Sequence, residues 1–327
     1  MIGWGVVGCG SIARKVIPAI IEAGNSRLVA VMSRSMDKAK RFAEKYGAPR
    51  YYDDLNLLLR DEDVDAVYIS TPTFLHASQT IMAAEAGKHV LCEKPMAMNL
   101  DECLRMVDAC RKNHVKLMIG HHMRFKPDNR RIREIIEHGR IGRVTLIRAQ
   151  HSTWYKPEPT AWRMIPKLGG GGSLMDLGVH CIDLLRFLLG SEVKEVAAFT
   201  YSSAFDYPVE DTAVVMMKFE NGACGIVNSC FNAKYSEKIL EVYGTEGTIL
   251  SRGTIGPRTG VVSVYIDGRE EIYEFGEFNP YVAEIEHFAD CIMRDEEPII
   301  SGEKCLGTMK AVFSAYESSR TGRFIRI

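Results

Sequence analysis

The chain has 327 residues, 46% of them hydrophobic and 25% charged, with a net charge of −1 at neutral pH. That length suggests two domains and a sizeable core, and the balanced charge gives no basis for nucleic acid or an anionic membrane as partner. No apolar run approaches the ~20 residues of a membrane span, and nine cysteines without a C-x-x-C pair point to reduced thiols in a cytoplasmic enzyme.

Over the first 120 residues, short apolar runs alternate with amphipathic stretches. Ile2–Val7 is predicted as a buried strand running into a glycine loop rather than a signal peptide. Ser11–Ala23 follows as a helix, Arg27–Met32 as a strand and Met36–Tyr46 as a helix. Asp65–Ser70, Leu75–Ala86, His89–Leu91, Leu100–Asn113 and Lys116–Ile119 continue the alternation. Apolar strands separated by helices imply a parallel sheet covered on both faces. With right-handed crossovers this is a doubly wound, Rossmann-type dinucleotide-binding architecture.

After a boundary near Gly120–Lys126 the pattern changes. Arg130–His138 and Leu174–Leu189 are predicted helices, and Val193 to about Tyr273 is a series of strands with turns at Asn221-Gly222, Glu246-Gly247 and Asp267-Gly268. Helices at Tyr281–Arg294 and Glu303–Ser319 complete the chain. The fold class is therefore α/β: a Rossmann domain over residues 1–121, then an α+β domain over 122–327 with an open, mainly antiparallel sheet.

Gly8-Cys9-Gly10-Ser11-Ile12-Ala13 fits G-x-G-x-x-[GA] between a strand and a helix. In that motif Gly8 permits the tight turn, Gly10 lets the backbone approach a pyrophosphate, and Ala13 keeps helix–strand packing close. The end of the second strand carries Ser33-Arg34-Ser35, with Lys38 a turn later, where NAD binders usually place an acidic residue. A hydroxyl and a guanidinium suit a 2′-phosphate. NADP(H) is the favoured cofactor, with NAD(H) as the alternative that Asp37 would support.

Glu93-Lys94-Pro95 follows a strand at the carboxyl edge of the sheet, where ligands bind in such folds, so Lys94 is placed to direct an ammonium at a substrate oxygen. Thr71-Pro72 ends another strand, with His76 shortly after. In the second half, Gly169–Gly172 precedes Asp176, His180 and Asp183. Asp176 and His180, four apart on a predicted helix, share a face and can manage a proton together. The glycine run would let that helix approach the cofactor closely. The same spacing suits zinc, with His121, His122 and His151 as further ligands, but no H-E-x-x-H or Cys/His spacing supports it and no metal is expected.

These segments together resemble the Gfo/Idh/MocA oxidoreductase family along nearly the whole chain: GCGSIA, DAVYISTPTFLH, AGKHVLCEKPMAM, HHMRF, GRIGRV, WRMIPKLGGGGSLMDLGVHCIDLLRFLLG and YGTEGTI, in the family's order. The resemblance implies a cofactor domain followed by a substrate domain whose open sheet packs in homodimers or homotetramers. It implies Lys94 and His180 as the central catalytic pair with Asp176 beside them, and Arg163 of Trp162-Arg163 and Tyr281 lining the substrate cleft. Thr71 and His76 would lie along the nicotinamide. HHMRF and Asn232–Glu237 resemble the anhydrofructose reductase branch, which implies NADP(H)-dependent hydride transfer at a hydroxyl or carbonyl carbon of a sugar or cyclitol. An NAD-dependent inositol or sugar dehydrogenase, a non-catalytic NAD(P)-binding regulator and a methyltransferase are the rival readings.

Overall fold

The computed structural model describes residues 1–156, 158 and 161–327. The chain divides into two compact units, one made of Met1–His121 with Asn279–Leu306 and the other of His122–Phe278 with Gly307–Ile327.

The first unit starts as β1 (Ile2–Val7), α1 (Ala13–Glu22), β2 (Ser26–Met32), α2 (Met36–Tyr46), β3 (Arg50–Tyr52) and α3 (Leu55–Leu59). It continues as β4 (Ala66–Ile69), α4 (His76–Glu85), β5 (His89–Glu93), α5 (Leu100–Lys112) and β6 (Leu117–Gly120). The six strands pair in parallel in the order β3-β2-β1-β4-β5-β6. The order turns back between β1 and β4, the kind of switch point at which doubly wound sheets bind ligands. β1 and β4 are buried at every residue, as strands covered on both faces must be. The sequence reading lacks β3 and α3, which are too short, at three and five residues, to carry a period of their own.

The second unit opens with a 3-10 turn at His122–Phe125, followed by α6 (Pro127–Glu137), β7 (Val144–Ser152), a 3-10 turn at Trp162–Met164 and α7 (Pro166–Gly169). A π-helical segment at Leu174–Gly178 leads into α8 (Val179–Leu189). Then come β8 (Val193–Tyr201), β9 (Thr212–Phe219), β10 (Cys224–Cys230), β11 (Ile239–Gly244), β12 (Gly247–Arg252), β13 (Val261–Ile266) and β14 (Arg269–Glu274). With β15 (Ile325–Arg326) they form a nine-stranded sheet in the order β14-β13-β12-β11-β7-β10-β9-β8-β15. The pairing is antiparallel except between β10 and β7. β7, absent from the sequence reading, is a central strand. Its polar Arg148 and Gln150 alternate with buried Ile147 and Ala149, so it lacks the apolar run of a two-sided core strand. Asp267 and Gly268 have φ of 52° and 73°, the pair of left-handed residues that a type I′ hairpin demands. α8 packs on β7 and β10 and is buried from Val179 to Leu188.

α9 (Pro280–Arg294) corrects the expected domain division. Sequence order assigned it to the second domain, but it belongs to the first unit, where it packs on α1 and β2. Its Phe288 ring lies 5.9 Å from the Trp4 ring of β1. The physical reason is that a parallel sheet needs cover on both faces, and the stripe Tyr281, Ile285, Phe288 and Ala289 contributes to it. α10 (Gly302–Thr321) begins in the same unit, where a Cβ at Gly302 would come within 2.6 Å of Leu117.

Candidate active site

The glycine loop joins β1 to α1. Gly8 has φ +101°, and an added Cβ there would lie 3.0 Å from the Ser70 carbonyl carbon, so both conformation and space require glycine. Ser70 Oγ donates to the Gly8 carbonyl at 2.8 Å and fixes the loop to the end of β4. At Gly10 a Cβ would meet nothing nearer than 3.8 Å. Ile12, just before α1, supplies no side-chain cap, and the first turn of α1 holds no acidic residue. Its free amides and dipole favour an anion. An open glycine and an uncapped helix start fit the diphosphate of a dinucleotide.

Ala13 is fully buried, which fits its packing role. The buried Cys9 thiol points at the Met32 carbonyl, 3.6 Å away. Burial pushes that thiol up to about 11, and Lys38 works the other way, so the Lys38 ammonium acts within reach of the loop. Arg34 and Lys38 are exposed just beyond β2. Ser35 is committed to capping α2, accepting from Lys38 N at 3.3 Å, and Ser33 Oγ accepts from Ser35 N at 3.5 Å. Asp37 lies exposed in the first turn of α2.

Thr71 Oγ1 donates to Gln79 Oε1 at 2.6 Å, and Pro72 leads into the 3-10 turn Thr73–Leu75. His76 is 1% exposed, with Nδ1 2.9 Å from the Pro95 carbonyl and Nε2 2.9 Å from the Thr71 carbonyl. Burial pulls its pKa below the usual imidazole range. His76 thus ties the Thr71-Pro72 loop to the Lys94-Pro95 loop through main-chain carbonyls. Lys94 is half-buried directly after β5. Beside it, Glu93 Oε1 accepts from Tyr68 Oη at 2.5 Å and Oε2 accepts from Lys94 N at 3.2 Å. Tyr281 of α9 is buried in this unit, and burial, followed by the charges of Glu93 and Glu284, pushes its phenol up.

In the second unit, His180 sits in the first turn of α8 with two imidazoles around it. The His122 ring stands edge-on at 5.3 Å and the His151 ring lies at 6.2 Å between centroids, and all three are buried. Asp176 accepts from Arg163 Nε at 3.4 Å, and the Arg163 guanidinium stacks on Trp162, 4.3 Å from its ring centroid. The turn between Asp176 and His180 is wider than expected, since Val179 N bonds the Leu174 carbonyl five residues back. Such π turns concentrate at functional sites. Among the described residues no three His, Cys, Asp or Glu side chains form a metal-holding group.

The glycine run has a different reason from the expected close approach to cofactor. A Cβ at Gly172 would sit 1.9 Å from the Glu210 carbonyl oxygen, and one at Gly171 would sit 2.1 Å from Tyr316 Oη. The protein itself fills the space. Sequence reasoning also missed what steadies His180. Arg124, on the turn that carries His122, donates twice to Asp183 of α8 at 2.8 Å each, and Thr308 Oγ1 donates to the same carboxylate at 3.0 Å. HHMRF and Asp183 were visible, but nothing in their spacing paired them.

Residues 2–121 match the family profile of the oxidoreductase family with NAD-binding Rossmann fold, and residues 129–250 match the GFO/IDH/MocA C-terminal domain. The chain is 32% identical over 326 residues to 1,5-anhydro-D-fructose reductase of Ensifer adhaerens, covering 99% of this chain and 98% of that one. It is 29% identical over 332 residues to myo-inositol 2-dehydrogenase of Thermotoga maritima, covering 99% and 98%. Among solved structures, aldose-aldose oxidoreductase from Caulobacter crescentus complexed with glycerol is similar with a TM-score of 0.94 and 31% identity, over 100% of this chain and 99% of that one. With a parallel six-stranded dinucleotide domain, a mixed-sheet second unit and these relatives along its whole length, the chain belongs to the GFO/IDH/MocA family of NAD(P)-binding oxidoreductases.

Proposed function

We propose that this oxidoreductase is NADP(H)-dependent and interconverts a hydroxyl and a carbonyl on a sugar or cyclitol. The observation that carries the reading is that one helical stretch of the second unit carries both Asp176, oriented by Arg163, and His180, ringed by His122 and His151. The relatives named above act, by their names, on anhydrofructose, inositol and aldoses, all polyhydroxylated. The bound nicotinamide supplies the hydride chemistry. Lys94 donates to the reacting oxygen and stabilises the alkoxide as it develops. His180 delivers the proton in the reducing direction and removes it in the other. Asp176, held by Arg163, orients His180 and a neighbouring substrate hydroxyl, and Tyr281 and Arg163 line the substrate site.

On the cofactor side, Gly8–Ala13 receives the diphosphate on the α1 amides. Ser33, Arg34 and Lys38 take the 2′-phosphate, and exposed cations at the end of β2 support that choice over NAD(H). Thr71, Pro72, His76, Glu93 and Trp162 border or brace the nicotinamide half. The nine-stranded sheet leaves Phe199, Tyr201, Met216 and Leu250 exposed on one side, and this apolar face supports self-association into a homodimer or homotetramer. No helix among the described residues is long and apolar enough to cross a membrane, and all nine cysteines are free thiols. Free thiols support a reducing, cytoplasmic setting.

The test is Lys94→Met, assayed with NADPH and NADH against 1,5-anhydro-D-fructose, myo-inositol and aldoses. Turnover should fall by about a thousandfold, while protein-fluorescence quenching by NADPH stays within about twofold of the unaltered chain. Retained turnover, or no turnover on any polyol or sugar by the unaltered enzyme, defeats the reading.

A further inference from the structure

α9 carries a carboxylate where its pattern asks for an apolar side chain. Tyr281, Ile285 and Phe288, the neighbours of Glu284 on the same helix face, are all buried. Glu284 itself is fully buried, and neither of its oxygens has a hydrogen-bond partner among the described residues. The charged and titratable groups that act on it or on Glu93 through space are Glu93 from β5, Tyr68 from β4 and Tyr281 one turn earlier on α9. Glu93 is held in place by the Tyr68 hydroxyl at 2.5 Å and by the Lys94 amide at 3.2 Å.

Two carboxyl groups in a dry pocket do not both ionise, because each charge lacks water and repels the other. Glu93 has two donors to support an anion, and Glu284 has none. We propose that Glu93 and Glu284 carry one negative charge between them, with Glu284 held protonated and Glu93 ionised, and that this carboxyl pair is a positioning device that presents one fixed negative charge to the loop of Lys94. The proposal rests on the reading of Lys94 as the group that acts on the substrate oxygen.

Burial and the Glu93 charge hold the Glu284 carboxyl well above the usual carboxylate range. Burial and the same two carboxylates keep the Tyr68 phenol protonated, so it remains a donor to Glu93. Only when Glu284 loses its proton as pH rises does the pair carry two negative charges beside the Lys94 loop. Glu284 is therefore a positioning residue, expected to appear as an ionisation in the pH dependence of kcat/KM rather than in cofactor affinity.

Infrared spectra of the full chain in D2O test the pair without any substrate. At neutral pH the protein should show the carbonyl stretch of a protonated, unsolvated carboxylic acid, and Glu284→Gln should lack it. That band should disappear with rising pH in step with an ionisation in kcat/KM, which Glu284→Gln should also lose, while NADPH affinity stays within about twofold. If Glu284→Gln does not fold, Glu284→Met replaces it. If neither folds, Tyr68→Phe, which removes a hydrogen bond from Glu93, should shift the band. No such band at neutral pH, a band unchanged in all variants, or superimposable pH profiles would overturn the proposal. Because the band needs no turnover, a failed role for Lys94 and a failed protonated Glu284 give different results.

Discussion

Residues 8–13 and residues 169–172 are both glycine-rich and both lead into a helix, yet they differ in what occupies the missing side chains' space. At Gly10 the nearest atom to a would-be Cβ is 3.8 Å away, and the α1 amides beyond it are uncapped. At Gly172 the same construction meets the Glu210 carbonyl oxygen at 1.9 Å, and the Glu210 carboxylate accepts from Gly172 N at 2.9 Å and Leu174 N at 3.0 Å. One segment leaves space open above its glycine. The other is filled by its own unit and sets the entry of the helix that carries His180. Glycine in a sequence reports that a side chain is excluded, and only the structure tells what excludes it.

The comparison breaks most visibly at Gly172→Ala. Its Cβ cannot coexist with the Glu210 backbone, so the fold should lose about 3 kcal/mol or more, read as a lower urea midpoint. An unchanged midpoint would mean that the run is as open as the first loop. Gly10→Ala should do the reverse. Stability should hold, while the NADPH Kd rises by about tenfold, or ~1.4 kcal/mol, in fluorescence titrations. Unaltered affinity there would leave the loop without its proposed ligand.

The smallest effect sharpens the second segment. Burial holds the Glu210 carboxyl above the usual carboxylate range, against the opposing bonds from Tyr316 and the Leu174 and Gly172 amides. A folded value above the unfolded one means that the native state keeps the proton longer. The contribution of Glu210 is thus complete below its ordinary value of 4.5 and declines as pH rises through the raised one. Glu210→Gln should cost about 1 kcal/mol for one lost acceptor and should flatten stability against pH over that window. Urea midpoints at several pH values read both, and a slope unchanged in the variant would clear Glu210 of the effect.

Much of the first unit was legible because its strands and helices are long, periodic and bounded by glycine or by caps such as Ser35. The loop Gly8–Ala13 was legible for the same reason, since its motif is local in the chain. β7 was not, because a central strand that is polar on one face looks like a connector without its partners β10 and β11. The tie from His76 to the Thr71 and Pro95 carbonyls, the Arg124–Asp183 pair and the Glu93–Glu284 couple join residues 5 to 191 positions apart, or use main-chain atoms that no side-chain pattern reports. Glu284 did leave a trace, an acid in the middle of an apolar stripe.

The return of Asn279–Leu306 to the first unit has a consequence for how the molecule is made and divided. During synthesis the six parallel strands leave the ribosome long before Phe288, which lies against Trp4 in the finished protein. Until that segment arrives, the nascent dinucleotide domain keeps an apolar face unshielded, which is an invitation to chaperones or to misassembly. Gene truncation after residue 121 would freeze the chain in that state. The domain that looks autonomous in chain order is completed by a helix that is made only after strands β7 to β14 of the nine-stranded sheet.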